Sequence, residues 1–426
     1  MRILVVGGGA REHALVWRLE QSPLVEEIVA APGNAGIAST ARCVGVTAND
    51  LDGVVALVQR ERIDLTVVGP EGPLVAGLAD ELTARGHAVF GPSAASARIE
   101  GSKAWAKDLM VRHGIPTARA GIFTALDAAV SFVDDLGGRV VVKADGLAAG
   151  KGVTVATDRA RAVAALEDAL VHRVFGEAGA TVLVEEVLEG PEVSAFALCD
   201  AHTVIPFALS QDFKRVRDGD AGPNTGGMGA YSPVPAVDSD AERSIWEEAV
   251  IPAFEALVDE GPGYRGLLYV GLMMTVDGPK VIEFNCRFGD PEAEAVIPRL
   301  RSDLAELLMA CASDRLSDAK IDWLDDAAVT VVLASEGYPG PCRTGTEILG
   351  LPDVSAMGSV TVFHAGTAEL DGRVVTAGGR VLAVSALGPT LRDARARAYE
   401  ACGRLSFDGM QYRRDIAEAA AEGESR

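Results

Sequence analysis

The sequence predicts an α/β protein with an N-terminal parallel α/β domain, a central core carrying a small lid domain, and a C-terminal α+β domain. Residues 1–92 alternate apolar strand-like runs with helical stretches, the pattern of a parallel sheet with crossover helices. Residues 140–155 set a glycine- and lysine-rich loop between two β-branched runs, so the loop tops a hairpin. Past residue 326, four short strand-like runs and one helical stretch form a last unit. Length agrees, since 426 residues correspond to about three domains of ordinary size.

Composition narrows the class. A hydrophobic content of 48% with 23% charged residues is globular, and no apolar run approaches the roughly 18 residues of a membrane span. The chain opens on an apolar strand at 3–6 without a basic leader, which predicts a cytoplasmic protein. Six scattered cysteines without a Cys-x-x-Cys pair argue against zinc and disulfides, and are expected reduced and mostly buried. A net charge of −22 disfavours nucleic acid and anionic membrane as partners.

In the first unit, strands are expected at 2–6, 27–31, 65–68 and 88–90, with helices at 13–20, 50–60 and 76–85. Gly7-Gly8-Gly9 falls at the first strand-to-helix turn, where an anion meets a helix N-terminus. A dinucleotide fingerprint would need a third glycine at position 12, which is Glu12, so NAD binding is disfavoured. A single phosphate held by Gly8, Gly9 and Arg11 fits better. The loops at 32–36, with Asn34, and at 69–72 would surround the same crevice.

Residues 95–113 read as a helix carrying Lys103, ended by Gly114-Ile115-Pro116. The next compact unit has helices at 125–136 and 159–173 and a strand at 181–184. Its hairpin runs from Lys143 through Asp145, Gly146, Gly150, Lys151 and Gly152. Glycine lets backbone N–H groups approach phosphate oxygens, and lysine supplies charge. The spacing is not Walker A, which excludes a P-loop NTPase and implies a clamp folding onto a nucleotide. The strand edge running into Glu185, Glu186, Val187 and Glu192 can offer backbone groups to an adenine and a carboxylate to ribose.

Residues 206–233 break every periodic pattern and read as a long functional loop. A helix at 241–259 and strands at 267–275 and 280–285 follow. Alternation on the last strand puts Glu283, Asn285 and Arg287 on one face and Ile282, Phe284 and Cys286 on the apolar one. Glu283 and Asn285 are hard oxygen donors suited to magnesium shared with phosphates, and Arg287 could hold a carboxylate or phosphate bidentately. In the last unit, strands are expected at 328–334, 359–364, 373–376 and 380–387, the last two joined as a hairpin by Gly378-Gly379. A helix at 391–405 and a frayed tail after 417 complete it. The unit offers no catalytic constellation, His364 reads as structural, and the unit should pack on the N-terminal domain and partly wall the site.

The runs Glu283-Phe284-Asn285-Cys286-Arg287-Phe288-Gly289-Asp290-Pro291-Glu292 and 222–231, with 8–13, closely resemble the phosphoribosylamine–glycine ligases, the glycinamide ribonucleotide synthetases of the ATP-grasp superfamily. The resemblance spans residues 1–416. It implies an ATP-grasp architecture divided into 1–101 (sugar phosphate), 102–119 with 190–325 (core), 120–189 (lid) and 326–426 (C-terminal). It also implies ATP with Mg2+ or Mn2+ as cofactors, glycine and 5-phosphoribosylamine as substrates, and a monomer in the cytoplasm. Lys103, Lys143 and the loop from Asp145 to Gly152 would then hold the triphosphate, Glu185 to Val187 the adenine edge, Glu192 the ribose, and Glu283 with Asn285 the metal. Asp212, Lys214, Arg215, Asn224, Thr225, Gly226, Gly227 and Arg287 would line the acyl-acceptor region, Asp212 and Arg287 as catalytic groups, with Gly8, Gly9, Arg11 and Asn34 near the sugar phosphate. The strand at 269–274 lacks the further metal-binding acid frequent in ATP-grasp enzymes, so a third protein ligand from it is not expected. Three alternatives stay open: another ATP-grasp carboxylate–amine ligase, a nucleotide-dependent oxidoreductase, and a nucleotide-binding regulator without turnover.

Overall fold

The computed structural model describes residues 1–147 and 152–423, so the expected roles of Gly150 and Lys151 lie outside the described residues. The first unit is a parallel sheet in the order Arg42–Cys43, Glu27–Pro32, Arg2–Gly7, Leu65–Val68, Ala88–Phe90. Ile3, Leu4, Val5 and Val6 are all fully buried, because a parallel sheet covered on both faces leaves neither side to water. The helix expected at 76–85 runs over Leu78–Ala84, and a short helix that was not expected, Glu71–Val75, precedes it across Gly77 with a φ of +94°, so the stretch from 71 to 84 is divided. The helix expected at 95–113 likewise divides into Ala94–Gly101 and Lys103–His113. Ser102 sits extended between them and caps the second by accepting the Trp105 N–H.

The lid is an antiparallel sheet in the order Ala120–Phe123, Val182–Glu186, Val140–Ala144, Val153–Ala156. Helices Leu126–Asp135 and Arg159–Leu170 join it in a core of its own around Ala129, Val133, Val140, Leu166 and Val184. Eight of the remaining strands make one antiparallel sheet: Gly278–Asn285, Gly266–Thr275, Glu192–Cys199, Val204–Asp212, Gly229–Ser232, Ala327–Ala334, Arg380–Gly388, Val360–His364; the other four form two two-stranded ribbons. Its last three members belong to the C-terminal unit, so one sheet continues from the core into that unit.

Three segments depart from the sequence expectation. Residues 206–233 are not one irregular loop; they contain Val204–Asp212, Arg215–Arg217, Ala221–Asn224 and Gly229–Ser232. Their glycines and prolines hide strand pairing that depends on backbone groups rather than on side-chain alternation. Gly378-Gly379 makes no hairpin: Arg373–Thr376 pairs with Thr367–Leu370, while Arg380–Gly388 pairs with Ala327–Ala334 and Val360–His364. The glycine there serves a close backbone crossing, since a Cβ on Gly366 would meet the Gly378 Cα at 2.6 Å. The tail after 417 is helical over Glu418–Gly423 and docked by buried Ala421 and an Arg395–Glu418 ion pair. As expected, Cys199, Cys286, Cys311 and Cys402 are buried free thiols.

The C-terminal unit also leans on the first one. The His364 N–H donates to His13 Nδ1 at 2.8 Å, and Asn34 Nδ2 donates to the His364 carbonyl at 2.6 Å. Burial, and for His13 also the neighbouring His364, holds the rings neutral, with pKa values of about 3 for His13 and about 4 for His364. Both values lie below the ordinary 6.5. The pair therefore contributes stability that is full above pH 6.5 and drains as pH falls through about 4 towards 3. Denaturant unfolding should show stability declining from pH 6.5 to 4, and His13→Gln, which keeps an acceptor without the titration, should flatten that decline; an unchanged slope refutes the assignment.

Candidate active site

The lid, the core sheet and the first unit enclose a two-lobed cleft. The smaller lobe, about 510 Å³, is walled by Val141, Val153, Val155, Met273 and Ile282 and by the hinge residues Glu186, Val187 and Leu188. The larger, about 590 Å³, is walled by Arg11, Glu71, Glu100, Asn285, Arg287 and Arg380. Lys143, Glu185, Asp212, Lys214 and Glu283 face both lobes. An apolar slot opening onto clustered charge fits a flat base joined to phosphates.

The strand Gly278–Asn285 is aimed by a bulge. Glu283 pairs with Gly271 and Val281 with Leu272, leaving Ile282 between them unpaired. Its carbonyl accepts Lys143 Nζ at 2.7 Å, and Ile282 lines the cleft instead of the expected apolar face, as bulges re-aim side chains. Lys214 is the hub of the junction, at 2.7 Å from Glu192, 3.2 Å from Glu283 and 4.0 Å from Asp212. Its charge holds the Glu283 carboxyl down at about 2. Burial pushes the Asp212 carboxyl well up against the pull of Lys214, with Glu292, Glu192 and Glu283 adding to the push. The junction thus combines an ionised carboxylate with an acid that burial holds towards its neutral form.

The donor set fits a hard divalent ion only in part. Glu283 is ionised and Asn285 lies two residues on, but among the described residues no group of three or more His, Cys, Asp or Glu could hold a metal alone. A divalent cation held there would need its other ligands from phosphate and water, as magnesium commonly does.

Several expected residues have other partners. Lys103 Nζ donates to the Gly146 carbonyl at 2.8 Å and, with Gly152, lines the larger lobe. The Asp145 carboxylate, expected at the triphosphate, instead accepts the Ser102 hydroxyl and the Ala104 N–H, both at 3.0 Å, and so ties the hairpin to a helix start. Glu185 turns its carboxylate into a buried contact with two lysines, at 2.6 Å from each, and Glu186 accepts the Arg119 N–H at 2.8 Å. Their carboxylates are thus committed, while their backbone passes the smaller lobe.

The first glycine turn is organised by Glu12, the residue that broke the fingerprint. Its buried carboxylate accepts the Gly9 N–H at 2.6 Å and the Arg11 Nε at 2.6 Å, while Arg11 Nη1 donates to the Phe288 carbonyl at 3.1 Å. A Cβ on Gly69 would meet the Glu12 carboxylate at 2.1 Å, which is why residue 69 is glycine. The Asn34 amide caps its own loop at Gly36 and Ile37 and donates to the Gly8 carbonyl. Arg11 reaches the larger lobe; Gly8, Gly9 and Asn34 do not line it.

Arg287, expected to offer its fork to a ligand, gives it to protein: Nη2 lies 2.8 Å from Glu100, Nε 3.2 Å from Glu71 and Nη1 3.2 Å from the Phe288 carbonyl. The guanidinium opposes burial at Glu71 and holds its carboxyl at about 2. The 222–231 segment also divides. Arg215 and Asn224 face the smaller lobe and Gly226 the larger. Thr225 is internal, donating to the Lys214 carbonyl and accepting the Gly227 N–H. Gly227, at φ +109°, packs on Pro291 where a Cβ would clash at 2.2 Å.

Sequence reading missed Arg380 and Tyr338. Arg380 Nη2 lies 3.0 Å from Asp290 and Nη1 2.9 Å from the Asp290 carbonyl, and the Tyr338 hydroxyl accepts the Gly226 N–H at 3.0 Å. A cation after a glycine pair and a lone tyrosine carry no motif, so no signal marked them. Glu71, Glu100 and Glu292 were missed similarly, although Glu71 and Glu292 sit inside segments already singled out.

Known proteins fit this geometry. The phosphoribosylglycinamide synthetase N domain matches residues 1–100, its ATP-grasp (A) domain 101–293 and its C domain 328–419. The chain is 50% identical to a phosphoribosylamine–glycine ligase of Caulobacter vibrioides over 424 residues, 99% of each chain, and 47% identical to that of Vibrio parahaemolyticus over 99% of this chain and 98% of the relative. A solved phosphoribosylamine–glycine ligase from Thermotoga maritima superposes with a TM-score of 0.84 at 32% identity, covering 98% of this chain and 100% of that one. A Campylobacter jejuni biotin carboxylase shares the fold at a TM-score of 0.76 and 16% identity, covering 99% of this chain and 95% of that one. By domains matched in order and by identity along its whole length, the chain belongs to the phosphoribosylglycinamide synthetase family of ATP-grasp enzymes.

Proposed function

We propose that the chain joins glycine to 5-phospho-D-ribosylamine at the expense of ATP, through glycyl phosphate, giving N1-(5-phospho-D-ribosyl)glycinamide, ADP and phosphate. The observation that carries this reading is the junction of the two lobes, where Lys143, Lys214, Glu283 and Asp212 face an apolar base slot on one side and a charged chamber on the other.

Adenine would lie against Val153, Val155 and Met273 with its edge at the hinge, and Lys103 and Lys143 would draw the phosphates towards the larger lobe. Glu283 and Asn285 would hold a divalent cation, magnesium or manganese, which when bound neutralises charge between the β- and γ-phosphates. A glycine carboxylate oxygen attacks the γ-phosphorus and the bond to the bridging oxygen breaks, releasing ADP. The amine of phosphoribosylamine then attacks the activated carbonyl, and phosphate leaves with that glycine oxygen as the amine loses its proton. Asp212 would ionise to meet the glycine ammonium, and Arg11 and Arg380 would face the anionic sugar phosphate. The protein contributes alignment and charge; no side-chain nucleophile is needed. This reading makes it a cytoplasmic protein acting on small molecules.

Glycine labelled with oxygen-18 in its carboxylate should pass one label per turnover into inorganic phosphate, with ADP the only nucleotide product. AMP, or unlabelled phosphate, sinks the acyl-phosphate route. Turnover with another amine or acid but not with this pair indicates a different carboxylate–amine ligase.

A further inference from the structure

Lys107 belongs to no motif, yet it is among the most buried charges of the molecule, 4% exposed on the inner face of the helix Lys103–His113. Its Nζ lies 2.6 Å from Glu185 Oε1, 2.5 Å from Thr117 Oγ1 and 3.2 Å from the Ala118 carbonyl. The other oxygen of Glu185 lies 2.6 Å from Lys143 Nζ. Two lysines therefore share one carboxylate, and all three groups border the cleft. A buried ion pair between Lys143 and Glu185 alone would be neutral and would offer an incoming phosphate nothing. With Lys107 on the far oxygen, the cluster keeps one net positive charge, and its Lys143 end, anchored by the Ile282 carbonyl, borders both lobes of the cleft.

We propose that Lys107 is a positioning residue for polyphosphate: by sharing Glu185 from its far side it leaves the Lys143 ammonium only partly compensated and fixed towards the phosphates. The inference rests on the nucleotide-site reading above. It concerns the charge balance behind the Lys143 ammonium. The low-dielectric setting matters, because a charge imbalance that water would screen at the surface is felt in full by an anion held beside it. Thr117 and Ala118 fix the position of the Lys107 ammonium, so the imbalance is built into the join between core and lid.

The test compares binding of ADP and of adenosine, in magnesium-containing buffer, by the full-length wild type, Lys107→Gln and the double variant Lys107→Met/Glu185→Gln. Lys107→Gln keeps a donor for Thr117 and Ala118 but leaves the cluster neutral, so it should weaken ADP about tenfold, the scale of one charge-assisted contact, with adenosine unchanged. The double variant restores one net positive charge and should recover most of the ADP affinity, which a merely structural lysine would not permit; it also carries the test if Lys107→Gln does not fold. Equal weakening of both ligands, unchanged ADP affinity in Lys107→Gln, or no recovery in the double variant overturns the proposal. A wild type that binds neither ligand overturns the nucleotide reading itself.

Discussion

Glu283→Ala is expected to lower turnover about 10²- to 10³-fold, the scale seen when one preorganised charge-stabilising group is lost from an active site, while the protein remains folded. Glu283 sits on the cleft side of a bulged strand whose neighbours Val281 and Phe284 remain packed in the core. The residue is also one of three carboxylates around Lys214, and its removal leaves that ammonium drawn to Glu192 and Asp212. Metal and lysine are disturbed together, so adding magnesium should recover little of the rate. Steady-state ADP release with thermal unfolding run alongside decides the matter: near-normal turnover removes the metal assignment, and a collapse of cooperative unfolding assigns Glu283 to the fold.

Arg287→Met should cost more in stability than any other change in the cleft, about 3 kcal/mol or more. The reason is Glu100, 8% exposed and held by Arg287 and by the Cys286 N–H. Burial already raises its carboxyl pKa, and Arg287 is the largest opposing influence. Without the guanidinium the carboxylate must be buried unpaired or take up a proton. The double variant Arg287→Met/Glu100→Gln should recover much of the stability but not the turnover, because Glu71 still loses its partner at the wall of the larger lobe. Denaturant midpoints and kcat for the three proteins check both halves; if the single variant unfolds like wild type, the ion-pair argument fails.

What the sequence made legible follows from what side chains can advertise. The parallel sheet was readable because strands buried on both faces are continuous apolar runs, and the shared cleft-side position of Glu283 and Asn285 was readable because alternation on one strand is local. The pairing of Arg373–Thr376 was not, since a glycine pair between two strands signals a hairpin whether it turns the chain or lets two backbones cross. The partners of Asp145 and Arg287 were equally hidden: Ala104 lies 41 residues from one and Glu100 187 residues from the other. Charged residues in a motif announce that they are needed. Whether they face a ligand or a buried carboxylate is decided by contacts that no local pattern contains.

The sheet that continues into the C-terminal unit has a consequence for the nascent chain. Gly229–Ser232 pairs on one side with Val204–Asp212 and on the other only with Ala327–Ala334, nearly a hundred residues later. Throughout that interval of synthesis the core ends in an open row of backbone donors and acceptors, the kind of edge that recruits strands from other chains. The core thus emerges from the ribosome with this edge still unpaired, and chaperone occupancy, followed by ribosome profiling of chaperone-bound chains, should peak before residue 334 emerges and fall once it has.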